Sequence, residues 1–218
     1  MTPPRAVLFD WDNTLVASWE IIHESLRRTF EDLGREPWSF AQTKAWVRRS
    51  MRDSFPDLFG ADAERAERAF YRHYRAHHLD LLSPLAGAAV TLEALRRNRI
   101  HLGVVSSKLG DLVREEAEHL GWSGYFGRIV GAEDAARDKP APEAVALALE
   151  GTGACPGADV WYVGDTGIDV TCARNSACVA VIVGSDPPRD GDLACTPDHQ
   201  VADHAALQCL LRRHRIAV

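Results

Sequence analysis

The chain has 218 residues, 46% of them hydrophobic and 26% charged, with a formal net charge of −6. That is enough apolar material for one substantial core, with or without a small accessory domain, and the acidic balance gives no sign of nucleic-acid binding. No apolar stretch reaches a membrane-spanning length or opens the chain as a leader, and the five cysteines (155, 172, 178, 195 and 209) form no C-x-x-C pair. They read as reduced, buried thiols, and the expectation is a cytoplasmic enzyme.

The first predicted element is a buried strand, Ala6–Phe9, and it runs directly into Asp10-Trp11-Asp12-Asn13-Thr14. Two acids at i and i+2 just beyond a strand end can turn toward one pocket instead of alternating across a pleat. One can serve as a nucleophile while the other moves a proton. Alone, the pair could equally be a turn motif capping backbone donors. Trp11, between them, is expected by strand parity to pack away from them.

Residues 17–82 then read as helical. Ile21, Ile22, Leu26, Phe30 and Leu33 mark one apolar face, and Phe70, Tyr74, His77, His78 and Leu81 mark another. His73 and His77 have the i, i+4 spacing of a zinc pair without a visible third ligand, which favours an ordinary helical face. Lys44, Arg48, Arg49 and Arg52 cluster beside Trp46, Val47 and Met51. Such a cluster is usually a solvated face, although one of its arginines could meet a second anionic group of a substrate.

After Ser83-Pro84-Leu85-Ala86-Gly87, helix and strand alternate. Helices are predicted over 88–98, 110–120, 141–151 and 166–176, and strands over 101–105, 128–130, 160–163 and 179–183, with 184–197 as a surface loop. This alternation implies a doubly wound α/β architecture, in which ligands bind at the carboxyl ends of parallel strands. Polar groups fall at those ends: Ser106-Ser107-Lys108, Gly164-Asp165-Thr166, and Lys139-Pro140 before a helix. Two of the chain's three lysines, 108 and 139, are among them. Ser106 could instead cap the following helix, and either lysine could meet a bound anion.

Asp10, Asp12 and Thr14, then Ser106, then Lys139 before Pro140, then Gly164, Asp165 and Asp169 match in order the four motifs of the haloacid dehalogenase superfamily. The chain resembles its capped phosphatases over nearly its whole length, with phosphoglycolate phosphatases the nearest specific likeness. The resemblance implies a Rossmann-like core formed by 1–16 and 83–218 and a small helical cap, 17–82, inserted after the first strand. It implies a Mg2+-dependent phosphomonoesterase acting on a small phosphorylated metabolite, as a monomer or homodimer. Asp10 would form an aspartyl-phosphate, and Asp12 would protonate the leaving oxygen and then activate water. Ser106 and Lys139 would hold the phosphoryl group, with Thr14, Ser107 and Arg48, Arg49 or Arg52 contributing to substrate binding. Asp10, the Asp12 carbonyl, Asp165 and Asp169, directly or through water, would hold Mg2+. A phosphomutase and a non-catalytic phosphate-binding module are the alternatives. A dehalogenase would lack the second aspartate, and a phosphonatase would need a cap lysine, for which only Lys44 stands available. Ser107 replaces a frequent Asn, and Ala177 stands where a helix-ending Gly is common.

Overall fold

The computed structural model describes residues 3–47, 51–184 and 196–218, with only the backbone for 51–53. In chain order the elements are β1 (Ala6–Phe9), β2 (Val16–Ala17), α1 (Trp19–Asp32), α2 (Phe40–Trp46), α3 (Met51–Phe59), α4 (Ala63–Leu81), β3 (Ser83–Pro84), α5 (Ala88–Arg97), β4 (His101–Leu109), α6 (Gly110–His119), β5 (Arg128–Ala132), α7 (Glu143–Leu149), β6 (Val160–Gly164), α8 (Gly167–Asn175), β7 (Val179–Val183), β8 (His199–Val201) and α9 (His204–Arg213). They form two units, one running to Val16 and resuming at Pro84, the other Ala17–Ser83.

The first unit is built on a six-stranded sheet of order β5-β4-β1-β6-β7-β8, parallel at every pairing. Burial follows position in the sheet. All residues of β1 and β6, near the middle, are buried, whereas two of the three residues in the edge strand β8 are only partly so. Ala6 and Leu8 of β1 join Tyr162 and Ile182 under α7 and α8 on one face. Phe9 is in register with Val104 of β4 and Val163 of β6. The chain adds β4 and β5 on one side of β1 and then crosses to add β6, β7 and β8 on the other. The carboxyl end of β1 is therefore the topological switch point, where side chains from three strands converge.

The elements expected from the alternation are present, but β4 continues to Leu109 through an irregularity after Val105. This carries Ser106, Ser107 and Lys108 inside the strand instead of after it. Helix α6 starts beyond Leu109 with no side-chain cap, so Ser106 is not its cap. Strand β8 and helix α9 were not anticipated, and residues 185–195 of the expected loop lie outside the described residues. Cys172 and Cys178 are buried free thiols, but Cys155, between α7 and β6, and Cys209, on α9, are exposed, which corrects the expectation of buried thiols; Cys195 lies outside the described residues.

Helix α8 ends with Ala177 at φ +53°, where the Cys178 N–H donates to the Ala173 carbonyl at 2.8 Å. This is the left-handed ending normally given to glycine, and a Cβ is strained there. Ala177→Gly should raise stability by up to about 1 kcal/mol, after the added freedom of the unfolded chain is set against the relief, or roughly 2–4 °C in a thermal melt.

In the second unit, α1 packs along α4. Ile21, Ile22, Leu26 and Phe30 are buried on one helix, and Phe70, Tyr74 and His78 on the other. Leu33 is only partly buried and Leu81 is exposed, so each predicted face runs out at its helix end. Ser39 and Gln42 form a reciprocal capping box that starts α2. His73 Nε2 lies 2.7 Å from Asp32, and His77 Nε2 lies 2.9 Å from the Arg28 guanidinium. Arginine only donates, so His77 Nε2 is an acceptor already in use, and no third metal ligand joins the pair among the described residues. Residues 48–50 and the Arg52 side chain lie outside the described residues, and the expectation for Arg48, Arg49 and Arg52 rests with them. No helix among the described residues is long and apolar enough to cross a membrane.

Candidate active site

Asp10 is fixed by the sheet itself, since its N–H continues the ladder to the Val163 carbonyl at 2.8 Å. Beyond it the chain folds back. The N–H groups of Leu15 and Val16 donate to the Trp11 carbonyl at 2.9 and 3.2 Å, and Asn13 adopts φ +57°, a conformation asparagine tolerates well. Across the loop, His204 Nε2 lies 2.7 Å from the Thr14 carbonyl, and because a carbonyl only accepts, that nitrogen carries the proton. Trp11 is fully buried and meets Trp122 and Phe126 edge-on, as parity implied.

Lys139 is 3% exposed, and its Nζ donates to Asp10 Oδ1 at 2.8 Å and to Asp169 Oδ1 at 2.7 Å. It also sits 5.7 Å from the centre of the Tyr162 ring, whose hydroxyl donates to the Val105 carbonyl at 2.8 Å. Burial works against the ammonium, but Asp10 and Asp169 outweigh it and hold Lys139 protonated well beyond the usual lysine range. Asp10 shows the opposite balance. Burial, aided by repulsion from Asp169 and Asp12, prevails over attraction to Lys139 and lifts its carboxyl from the ordinary 3.8 to about 7.

Asp169 accepts from the N–H groups of Asp165 and Thr166 and from the Thr166 hydroxyl through Oδ2, while Oδ1 faces Lys139. Both oxygens are therefore engaged. Gly164 makes the arrangement possible, because a Cβ there would lie 2.3 Å from the Asp169 carboxyl carbon. Asp165 is partly exposed, and burial with repulsion from Asp169 and Asp10 pushes its carboxyl well above the usual range. One oxygen each from Asp10, Asp165 and Asp169 lies within 4.8 Å of the others. Hard oxygen donors under mutual repulsion that Lys139 relieves only in part are a chemical fit for a small divalent cation such as Mg2+.

Asp12 and the second lysine form an adjoining cluster. Lys108 Nζ donates to Asp12 Oδ1 at 2.7 Å and to both oxygens of Glu116 at 3.0 and 2.8 Å, while Ser106 Oγ accepts from the Lys108 N–H at 3.1 Å. The two lysines thus divide the acids between them: Lys139 serves Asp10, and Lys108 serves Asp12. The hydroxyls of Thr14 and Ser107 are buried with no hydrogen-bond partner among the described residues. Sequence reasoning did not find Glu116, Tyr162 or His204. Glu116 sits among other acids on α6 with nothing in its spacing to mark it, and His204 acts 190 residues from Thr14.

Residues 7–183 match the family model for haloacid dehalogenase-like hydrolases. The chain is 32% identical over 174 residues to a phosphoglycolate phosphatase of Aquifex aeolicus, covering 79% of this chain and 81% of that one. It is 28% identical over 180 residues to the pyrophosphatase PpaX of Halalkalibacterium halodurans, covering 83% of each. Among solved structures, a haloacid dehalogenase-like family hydrolase from Streptococcus pneumoniae superposes with a TM-score of 0.84 at 23% identity, covering 98% of this chain and 100% of that one. A predicted phosphoglycolate phosphatase from Haemophilus somnus also gives 0.84, at 21% identity and 96% and 99% coverage. These two likenesses concern the fold, while the sequence match carries the family: the chain belongs to the haloacid dehalogenase-like hydrolases.

Proposed function

We propose that this phosphatase is a Mg2+-dependent phosphomonoesterase that works through an aspartyl-phosphate on Asp10 and acts in the cytoplasm on a small phosphorylated metabolite. The observation that carries the reading is the junction of Lys139 with Asp10 and Asp169 at the switch point, beside Asp165. A carboxylate fixed at one oxygen by a buried ammonium is a preoriented nucleophile. Its other oxygen forms the bond to phosphorus as the bond to the leaving oxygen breaks, and Asp12 delivers a proton to that oxygen. Asp12 then takes a proton from the water that attacks phosphorus, and the bond to Asp10 breaks to release phosphate. Lys139, between Asp10 and Asp169, offsets repulsion between the anionic nucleophile and the anionic substrate.

Asp10, the Asp12 carbonyl and Asp165 would hold Mg2+. When bound, the ion supplies a positive charge that stabilises the developing phosphoryl oxygens. Asp169, with both oxygens already engaged, would act chiefly by holding Lys139 and the Asp165–Thr166 turn. Ser106 would contact the phosphoryl group from β4.

Substrate identity follows two leads, since one relative is named for phosphoglycolate and another for pyrophosphate. Phosphate release should be measured on phosphoglycolate, inorganic pyrophosphate and an aryl phosphate, with Mg2+ and with chelator. Metal-dependent release to water is expected. Transfer to a sugar phosphate in place of water would make the enzyme a phosphomutase, and binding without release would make it a non-catalytic module. In a Mg2+ titration of activity, Asp165→Ala should weaken apparent metal affinity by about tenfold or more, the scale at which even outer partners of a metal act. An unchanged titration would remove Asp165 from the metal site.

A further inference from the structure

We infer that Lys108, held by Glu116, is a positioning residue for the proton-transfer carboxylate Asp12. The inference rests on the mechanism proposed above. Glu116 has no exposed side-chain surface, and Lys108 has 6%. Around them lies the aromatic floor of the site: Trp11 Nε1 donates to Glu116 Oε2 at 2.5 Å, and its ring is flanked by Trp122 and Phe126.

A buried carboxylate and ammonium are a poor source of stability. Apolar side chains of similar volume commonly do as well, because desolvation consumes most of the attraction. What apolar packing cannot supply is a directed donor. With both Glu116 oxygens against one side of Nζ, the remaining direction of the ammonium is set, and it points at Asp12 Oδ1. Trp11, immediately before Asp12 in the chain, fixes Glu116 in turn. The same loop that carries the proton-transfer group therefore orients the residues that hold it. Glu116 comes from the middle of α6 and Lys108 from the end of β4, so the clamp ties the loop after β1 to its neighbouring strand and helix.

A clamp on Asp12 acts on one step, protonation of the leaving oxygen, and its loss should depend on how much that oxygen needs a proton. The leaving group of phosphoglycolate is a basic alkoxide, whereas that of dinitrophenyl phosphate is a stable phenolate. The specificity constant, kcat/KM, should be measured for both in Lys108→Met, Glu116→Gln, Asp12→Asn and the Asp12→Asn/Lys108→Met double variant, each checked by circular dichroism and thermal melting. Lys108→Met should lose about ten- to a hundredfold on phosphoglycolate, the cost of a misplaced general acid, and less than about threefold on dinitrophenyl phosphate. Glu116→Gln, nearly isosteric, should show the same selectivity at smaller size and carries the test should Lys108→Met fail to fold. The double variant should be no slower on phosphoglycolate than Asp12→Asn alone, since both changes strike one interaction.

Equal losses on the two substrates, no loss in either variant, or additive losses in the double variant would overturn the positioning role. If Asp12→Asn itself shows no dependence on the leaving group, the proposed mechanism fails, and the clamp fails with it. Selectivity in Asp12→Asn without selectivity at Lys108 and Glu116 rejects the clamp alone.

Discussion

Asp10→Asn should abolish turnover, with a fall on the order of 10^4-fold or more, because an amide is neither a competent nucleophile nor an anionic partner for a metal. Folding should survive. The native carboxyl is lifted from 3.8 to about 7 chiefly by burial, so the folded chain binds its proton more tightly than the unfolded chain does. The sign follows from linkage: in metal-free buffer, this group's contribution to stability diminishes as pH rises from about 4 to about 7. Asn substitution removes that dependence, and melts at several pH values would show the difference from the parent. Substantial hydrolysis by a well-folded Asn variant would remove Asp10 as the nucleophile.

Lys139→Met should be costly in both activity and stability. Loss of one preorganised positive donor at a transition state typically costs about 10²- to 10³-fold in rate. In this site the substitution also leaves Asp10 and Asp169 facing each other without the ammonium between them. Breaking a buried pair in this way costs about 3–5 kcal/mol. Denaturant unfolding beside steady-state kinetics would measure both. A variant as stable as the parent would mean that the two carboxyls relax or take up protons at little cost, contrary to their burial.

The core and most of the proposed chemistry were legible in the sequence for local reasons. A short apolar run rich in Val, Leu and Phe has the composition of a buried strand, so Ala6–Phe9 read as one and put Asp10 at its end. Lys108 and Lys139 both stood out because lysines are scarce in this chain, and Asp165 because a glycine and an acid follow a run of apolar residues. What could not be read depends on tertiary pairing. Lys108 and Lys139 both fall at positions able to meet an anion, and the packing of α6 is what assigns the first to Asp12. Strand β8 has three residues on an edge, too few and too exposed to show a period. Ser106 and its neighbours read as a loop because three polar residues end an apolar run, yet β4 continues through them past its irregularity. The Ser39–Gln42 pair did carry a readable start signal, that of a capping box.

The distribution of lysines also governs how this protein meets reagents. Of the three amines on side chains, those of Lys108 and Lys139 are enclosed by carboxylates, and that of Lys44 is exposed over the rings of Trp19 and Phe40. Acylation needs an amine with room for the acyl donor to approach, and the two enclosed lysines leave none. Among the lysines, an activated ester under mild conditions is thereby directed to Lys44. A dye or surface tether attached at Lys44 is carried by the helical unit, leaving the amines of Lys108 and Lys139 unmodified.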